Sequence, residues 1–143
     1  MPRILAIDPG RRRMGLALSD PLRLFASPLG VIEYRDDKRF VDDMRALAAR
    51  HDVALVLVGF PARDDGYEGE GCRRSRRLLG LLEGAGIHAM LWDESSSTER
   101  AYDVTRQHGL DRRKSRQAKD SIAASFILAS YLEEHPGEGD RRV

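Results

Sequence analysis

RILAIDPGRRRMGLALSD, residues 3–20, is where the architecture of this chain is first set. Its first six residues are an apolar run that ends on an acid and meets Pro9-Gly10. A run of that length bounded by turn residues reads as a buried strand. GLALS (15–19) reads as a second strand, and the Gly10–Arg13 turn between the two predicts a hairpin. LGVIEY (29–34) supplies a third, so the chain is expected to open as an antiparallel meander.

The period then changes. From Asp36 to Arg50 the apolar residues Phe40, Val41, Met44, Leu47 and Ala48 fall on one helical face. VALVLVG (53–59) is almost continuously apolar, as a central strand covered on both faces should be. A polar, Gly-rich loop from Phe60 to about Gly71 leads into a helix over Cys72–Glu83. That helix sets Leu78, Leu79 and Leu82 against arginines and is stopped by Gly84 and Gly86. IHAMLW (87–92) reads as a fifth strand running into Asp93-Glu94. A helix over Thr98–Gln107, capped by Ser97 or Thr98 and ended by Gly109, follows. After a basic loop, a long helix is expected from about Ser115 to Glu134, and HPGEGDRRV (135–143) reads as a disordered polar tail. Residues 1–134 are therefore expected to form one domain. The order βββ-α-β-α-β-α-α predicts an α/β fold: a mixed five-stranded sheet flanked by helices, its last two strands parallel to the first.

Composition narrows the function classes. The chain has 143 residues, 41% hydrophobic and 33% charged, which excludes a disordered chain. No apolar run approaches the roughly 18 residues of a membrane span. MPRILAID lacks the flank and length of a secretory signal, so a soluble, cytoplasmic protein is expected. The lone cysteine, Cys72, excludes an internal disulfide, and no Cys/His spacing suggests zinc. A net charge of +1 conceals three basic clusters: Arg11–Arg13, Arg73–Arg77, and Arg112 through Lys119. Separated clusters of this kind suit a phosphate-rich partner, although each one singly reads equally well as a solvated helix face or turn.

Three acids stand out. Asp8 closes the first strand, Glu94 follows the fifth, and Asp120 lies in the small, apolar setting AKDSIAASFIL near the start of the last helix. Each has an ordinary reading: a turn cap, a solvated loop acid, and a complement to a helix N-terminus. All three, however, are expected at one edge of the sheet, the carboxyl ends of the strands where α/β ligand sites gather. Carboxylates converging there would repel one another unless a hard divalent cation compensated them.

IDPGRRRMGLALSD (7–20), FASPLGVI (25–32), LVLVGFP (55–61), WDESSST (92–98) and KDSIAASFILASYL (119–132) resemble, in order, the sequence blocks of the YqgF/RuvX family. The resemblance runs from about Ile4 to Leu132. It implies a bacterial protein of the ribonuclease H-like fold, of a family described both as Holliday junction resolvases and as nucleases that process the 5′ end of pre-16S ribosomal RNA. Carried over by motif, the family's catalytic and metal-binding acids fall on Asp8, Glu94 and Asp120. The implied cofactor is Mg²⁺ or Mn²⁺, as two ions sharing Asp8. Arg11, Arg12, Arg13, Arg113, Lys114 and Arg116 are the expected contacts to substrate phosphates. The chain departs from the family at Ser95, where an arginine is usual, and at Lys119, where an apolar residue is usual.

The leading expectation is a metal-dependent nuclease acting on structured RNA, as a monomer or homodimer. A DNA junction endonuclease and a catalytically silent ribosome-assembly module are the alternatives. Asp8, Gly10 and Gly15 also fit the first phosphate loop of actin-like ATPases and sugar kinases. Those proteins need a second domain, for which 143 residues leave no room.

Overall fold

β1 (Arg3–Asp8) is the middle strand of the sheet, and the other elements assemble around it. The computed structural model describes residues 2–94 and 112–135, with the side chains of 112–118 outside that description. The remaining strands are β2 (Arg13–Ser19), β3 (Ala26–Glu33), β4 (Val53–Phe60) and β5 (Ala89–Asp93). Among the described residues the helices are α1 (Asp37–His51), α2 (Glu70–Gly84) and α3 (Arg112–Glu134). The sheet order is β3-β2-β1-β4-β5. β1, β2 and β3 form the expected antiparallel meander, while β4 and β5 run parallel to β1.

The pleat sorts the central strands onto two cores. Leu5, Ile7, Met14, Leu16, Val56 and Val58 pack on α1 and α2 through Phe40, Met44, Leu78 and Leu82. Ile4, Ala6, Ala17, Leu55 and Leu57 pack on α3 through Ala124, Ile127, Leu128 and Leu132. At about 1.5–3 kcal/mol for each fully buried aliphatic side chain, these two layers supply most of the drive to fold. Because alternate residues face opposite ways, Asp8 follows Ile4 and Ala6 onto the α3 side.

Several boundaries move for identifiable reasons. β3 begins three residues before the expected Leu29, because Pro28 is tolerated on an edge strand, where its missing N–H breaks no ladder. β2 begins at Arg13, two residues before Gly15. α2 starts at Glu70 after Gly69, and α3 at Arg112 rather than Ser115. β5 begins at Ala89 rather than Ile87, which instead donates its N–H to Leu82 O (2.9 Å) and packs beside the α1/α2 core. His135, read as the first tail residue, still donates its backbone N–H to Tyr131 O at 2.8 Å. The helix expected over 98–107 and the tail beyond His135 lie outside the described residues.

One edge of this sheet collects the ends that matter. Asp8 pairs with Gly15, Arg13 with Glu33, and Phe60 with Asp93. The hairpin turn, the C-terminal ends of β1, β4 and β5, and the N-terminus of α2 therefore meet there. No helix among the described residues is long and apolar enough to cross a membrane.

Candidate active site

Glu94 reaches Asp8 because the backbone just past β5 is pinned to β4: Glu94 N donates to Phe60 O at 3.1 Å. Its carboxylate then lies over Gly59 and Ile127. A Cβ on Gly59 would stand 2.4 Å from Glu94 Oε2 and 2.7 Å from Ile127 Cδ1, so a side chain there would displace both. Glu94 and Asp8 share a side-chain hydrogen bond. Burial pushes the Glu94 carboxyl up to about 9, and the Asp8 charge, the bond to Asp8 and the nearby Asp93 add to that. Burial also raises Asp8, opposed by the bond from Glu94 and reinforced by the charge of Asp120. Both carboxyls are thus biased towards their protonated forms, Glu94 the more strongly, and the bond between them needs a shared proton. Glu94 Oε2 is buried and has no hydrogen-bond partner among the described residues.

Asp120 arrives from the other core layer. α3 crosses β2 at Gly15, where a Cβ would meet Asp120 O at 1.9 Å, so backbone rests directly on backbone. Ser121 locks that crossing: its Oγ donates to Leu16 O (2.8 Å) and accepts from Gly30 N (3.0 Å). The Asp120 carboxylate faces Arg13, at 3.3 Å from its guanidinium. Burial raises the Asp120 carboxyl, against the opposing charges of Arg13 and Lys119.

The structure thus brings Asp8, Glu94 and Asp120 to one edge, with Asp8 and Glu94 in contact and Asp120 engaged by Arg13. Among the described residues no three acidic, His or Cys side chains lie close enough to hold a single ion together. The donors present nevertheless suit hard divalent cations. They are all carboxylate oxygens, and one of them is buried without a partner among the described residues.

The expected phosphate contacts divide. Arg11, Arg12 and Arg13 line an open groove of about 780 Å³ together with Gly10, Glu33, Tyr34 and Asp120. Arg11 pairs with Glu70 at 3.4 Å and Arg13 with Asp120, while the Arg12 carbonyl accepts a backbone bond from Tyr34 N at 2.8 Å. Arg113, Lys114 and Arg116 sit in α3 ahead of Asp120, and their side chains lie outside the described residues. Sequence reading missed Gly59, Gly15 in its packing role, and Ser121. The run of small residues around Asp120 is the signal that a backbone approaches closely there.

A model of the family described as "RuvX: Holliday junction resolvase" matches residues 2–134. A "Putative pre-16S rRNA nuclease" of Syntrophus aciditrophicus is 38% identical over 92% of this chain and 88% of its own length. One of the same name from Dictyoglomus thermophilum is 35% identical over 92% and 95%. Among solved structures, T. thermophilus RuvC in complex with Holliday junction substrate aligns with TM-score 0.57 at 14% identity, covering 96% of this chain and 98% of that one. Fowlpox virus resolvase with its junction DNA aligns at 0.56 and 16% identity, covering 92% and 97%. Likenesses at that identity establish the ribonuclease H-like fold.

Proposed function

Because the chain belongs to the RuvX family of nucleases, we propose that it is a divalent-metal-dependent phosphodiester hydrolase that trims the 5′ end of pre-16S ribosomal RNA in the cytoplasm. The observation that carries the catalytic part is the buried, hydrogen-bonded Asp8–Glu94 pair, with Glu94 Oε2 unpartnered among the described residues, at the strand edge that also receives Asp120. The relatives' names support the RNA substrate.

In this reading Asp8, Glu94 and Asp120 are the residues that would hold Mg²⁺ or Mn²⁺. Bound there, such ions lower the pKa of the attacking water and stabilise the leaving oxygen. The protein's own residues do the rest. Loading the site would require the proton shared by Glu94 and Asp8 to pass to solvent, leaving both groups as carboxylates. Gly59 and Ile127 hold Glu94 in a water-poor position, where fixed charges act strongly. Arg11 and Arg12, on the rim of the groove, orient the phosphates flanking the scissile one, and Arg113, Lys114 and Arg116, ahead of Asp120 in α3, are proposed as further phosphate contacts. Arg13 holds Asp120 in place until the site is loaded.

The family's description also favours a second reading, cleavage of four-way DNA junctions. One experiment tests both. End-labelled pre-16S leader RNA, its single-stranded DNA counterpart and a four-way junction are incubated with wild type and Asp8→Asn, in Mg²⁺, Mn²⁺ or EDTA. Metal-dependent cutting of the leader that disappears in Asp8→Asn supports the proposal. Cutting of the junction alone selects the second reading. Binding without cutting in any metal overturns the nuclease mechanism.

A further inference from the structure

The groove at the catalytic edge does not end at Arg11 and Tyr34. Both residues, with Gly10, also line a second and smaller cavity of about 70 Å³, whose far wall is Arg74, Arg77 and Leu78 of α2. α2 packs on the sheet face opposite α3. The continuous path therefore runs from Asp120 on one face, around the hairpin turn, to the arginine side of α2 on the other.

The arginines along it are held in place. The guanidinium of Arg77 lies 5.7 Å from the centre of the Tyr34 ring and pairs with Asp37, whose carboxylate also takes the Tyr34 hydroxyl. Arg74 is largely buried along its stem and pairs with Glu70 at 3.3 Å. The other oxygen of the same carboxylate is 3.4 Å from Arg11. The exposed Glu70 carboxylate thus bridges guanidiniums from two different elements, a position whose charge favours an anion. At roughly 30 Å³ per water, the cavity suits the oxygens of one phosphate rather than a nucleobase.

We propose that Arg11, Arg74 and Arg77 form a backbone-phosphate subsite for the nucleic-acid strand on the far side of the sheet from Asp8, and that Glu70 is an internal anion occupying it until the strand arrives. The subsite rests on the nuclease reading above and deepens it: the strand wraps the sheet edge and is gripped on both faces. Surface ion pairs in water are weak and screened by salt, so a polyanion displaces Glu70 readily. Arg12 of the same turn is exposed, with no ion-pair partner among the described residues, and lies beside the path.

The test measures binding of a labelled single-stranded RNA to the full chain in EDTA on an Asp8→Asn background, across a salt series. Arg74→Ala/Arg77→Ala should weaken binding by roughly tenfold or more and reduce the log–log salt slope by about 1.4, which is two contacts at about 0.7 each on a single strand. Glu70→Gln should act in the opposite direction and tighten binding by about two- to fivefold. Arg45→Ala, which removes a charge beside Ala85 at the far end of α2, should leave the slope nearly unchanged. Circular dichroism confirms folding of each variant, and if the alanine pair unfolds, Arg74→Gln/Arg77→Gln carries the same test. An unchanged slope in the Arg74/Arg77 variants, with wild type still binding and cutting, overturns the subsite alone. Weakening by Glu70→Gln also overturns it, since a purely structural ion pair predicts that sign. If wild type neither binds nor cuts any nucleic acid, the nuclease reading falls and takes the subsite with it.

Discussion

A folded protein that keeps Glu94 protonated at neutral pH must lose stability as the pH rises. The ordinary carboxyl of an unfolded glutamate titrates near 4.5, and in the folded chain burial beside Asp8 pushes Glu94 up to about 9. The native state therefore holds a proton that the unfolded state has already released. Stability is fully present below the unfolded value and declines through the interval between the two. At 1.36 kcal/mol for each pH unit, the three units from pH 5 to pH 8 amount to about 4 kcal/mol at most. A realistic loss is about 2–4 kcal/mol, a large part of the roughly 5–15 kcal/mol of a typical domain. The expected fall in Tm is about 6–12 °C for a chain of this size. Denaturant titrations in EDTA between pH 5 and 8 measure it directly. Glu94→Gln, which cannot ionise, should flatten the profile. Mg²⁺ should stabilise wild type more at pH 8 than at pH 5, because at pH 5 it must displace a tightly held proton. A flat wild-type profile, or the same slope in Glu94→Gln, would refute the reasoning.

Other perturbations address the scaffold around the carboxylates. Asp8→Asn should lose more than about a hundredfold in cleavage rate yet unfold at equal or higher denaturant concentration, since it removes a buried charge that burial disfavours. Gly59→Ala should cost about 1–3 kcal/mol, because the new methyl meets Glu94 and Ile127 at under 3 Å; isothermal titration should show weakened Mg²⁺ binding as Glu94 is displaced. Ser121→Ala strands the Leu16 carbonyl and the Gly30 amide and should cost about 1–3 kcal/mol. Ser125→Ala, which loses only a bond to Ile122 O within its own helix, should stay within about 0.5 kcal/mol by the same denaturation assay.

The parts of this molecule legible in its sequence are those set by local period. Apolar runs and turn residues define β1, β2 and β4, and the helical spacing of Phe40, Met44 and Leu47 defines α1, whose Asp36 cap accepts from Arg39 N at 2.8 Å. Strand ends predict where acids will cluster, which is why Asp8 and Glu94 stand out in the sequence alone. Boundaries are harder to read where local rules yield to position in the sheet. Pro28 argues against a strand in isolation, and only its place on an edge strand makes it harmless. The close approaches at Gly15 and Gly59 depend on which residue of α3 or β5 arrives opposite, a fact of tertiary packing that no local window contains.

Arg13 shows the same limit at the site itself. In sequence it is one of three adjacent arginines, equivalent as candidates for phosphate contact. The pleat makes them different. Arg13 is already in β2, on the face shared with Ala17 and α3, and so meets Asp120. Arg11 is still in the turn and reaches Glu70, and Arg12 stands exposed beside the groove. A cation paired with Asp120 partly offsets the burial that would otherwise push that carboxyl further towards its protonated form, so the acid is kept closer to ionised. Substituting Arg13 by alanine should then raise the Asp120 carboxyl, a change that carbon-13 NMR of the side chain can follow. It should also weaken metal binding more at pH 6 than at pH 8, since at the lower pH the unpaired acid retains its proton. A loss of affinity independent of pH would mean that Arg13 acts only by geometry, and Asp120 titrating unchanged would remove the electrostatic role altogether.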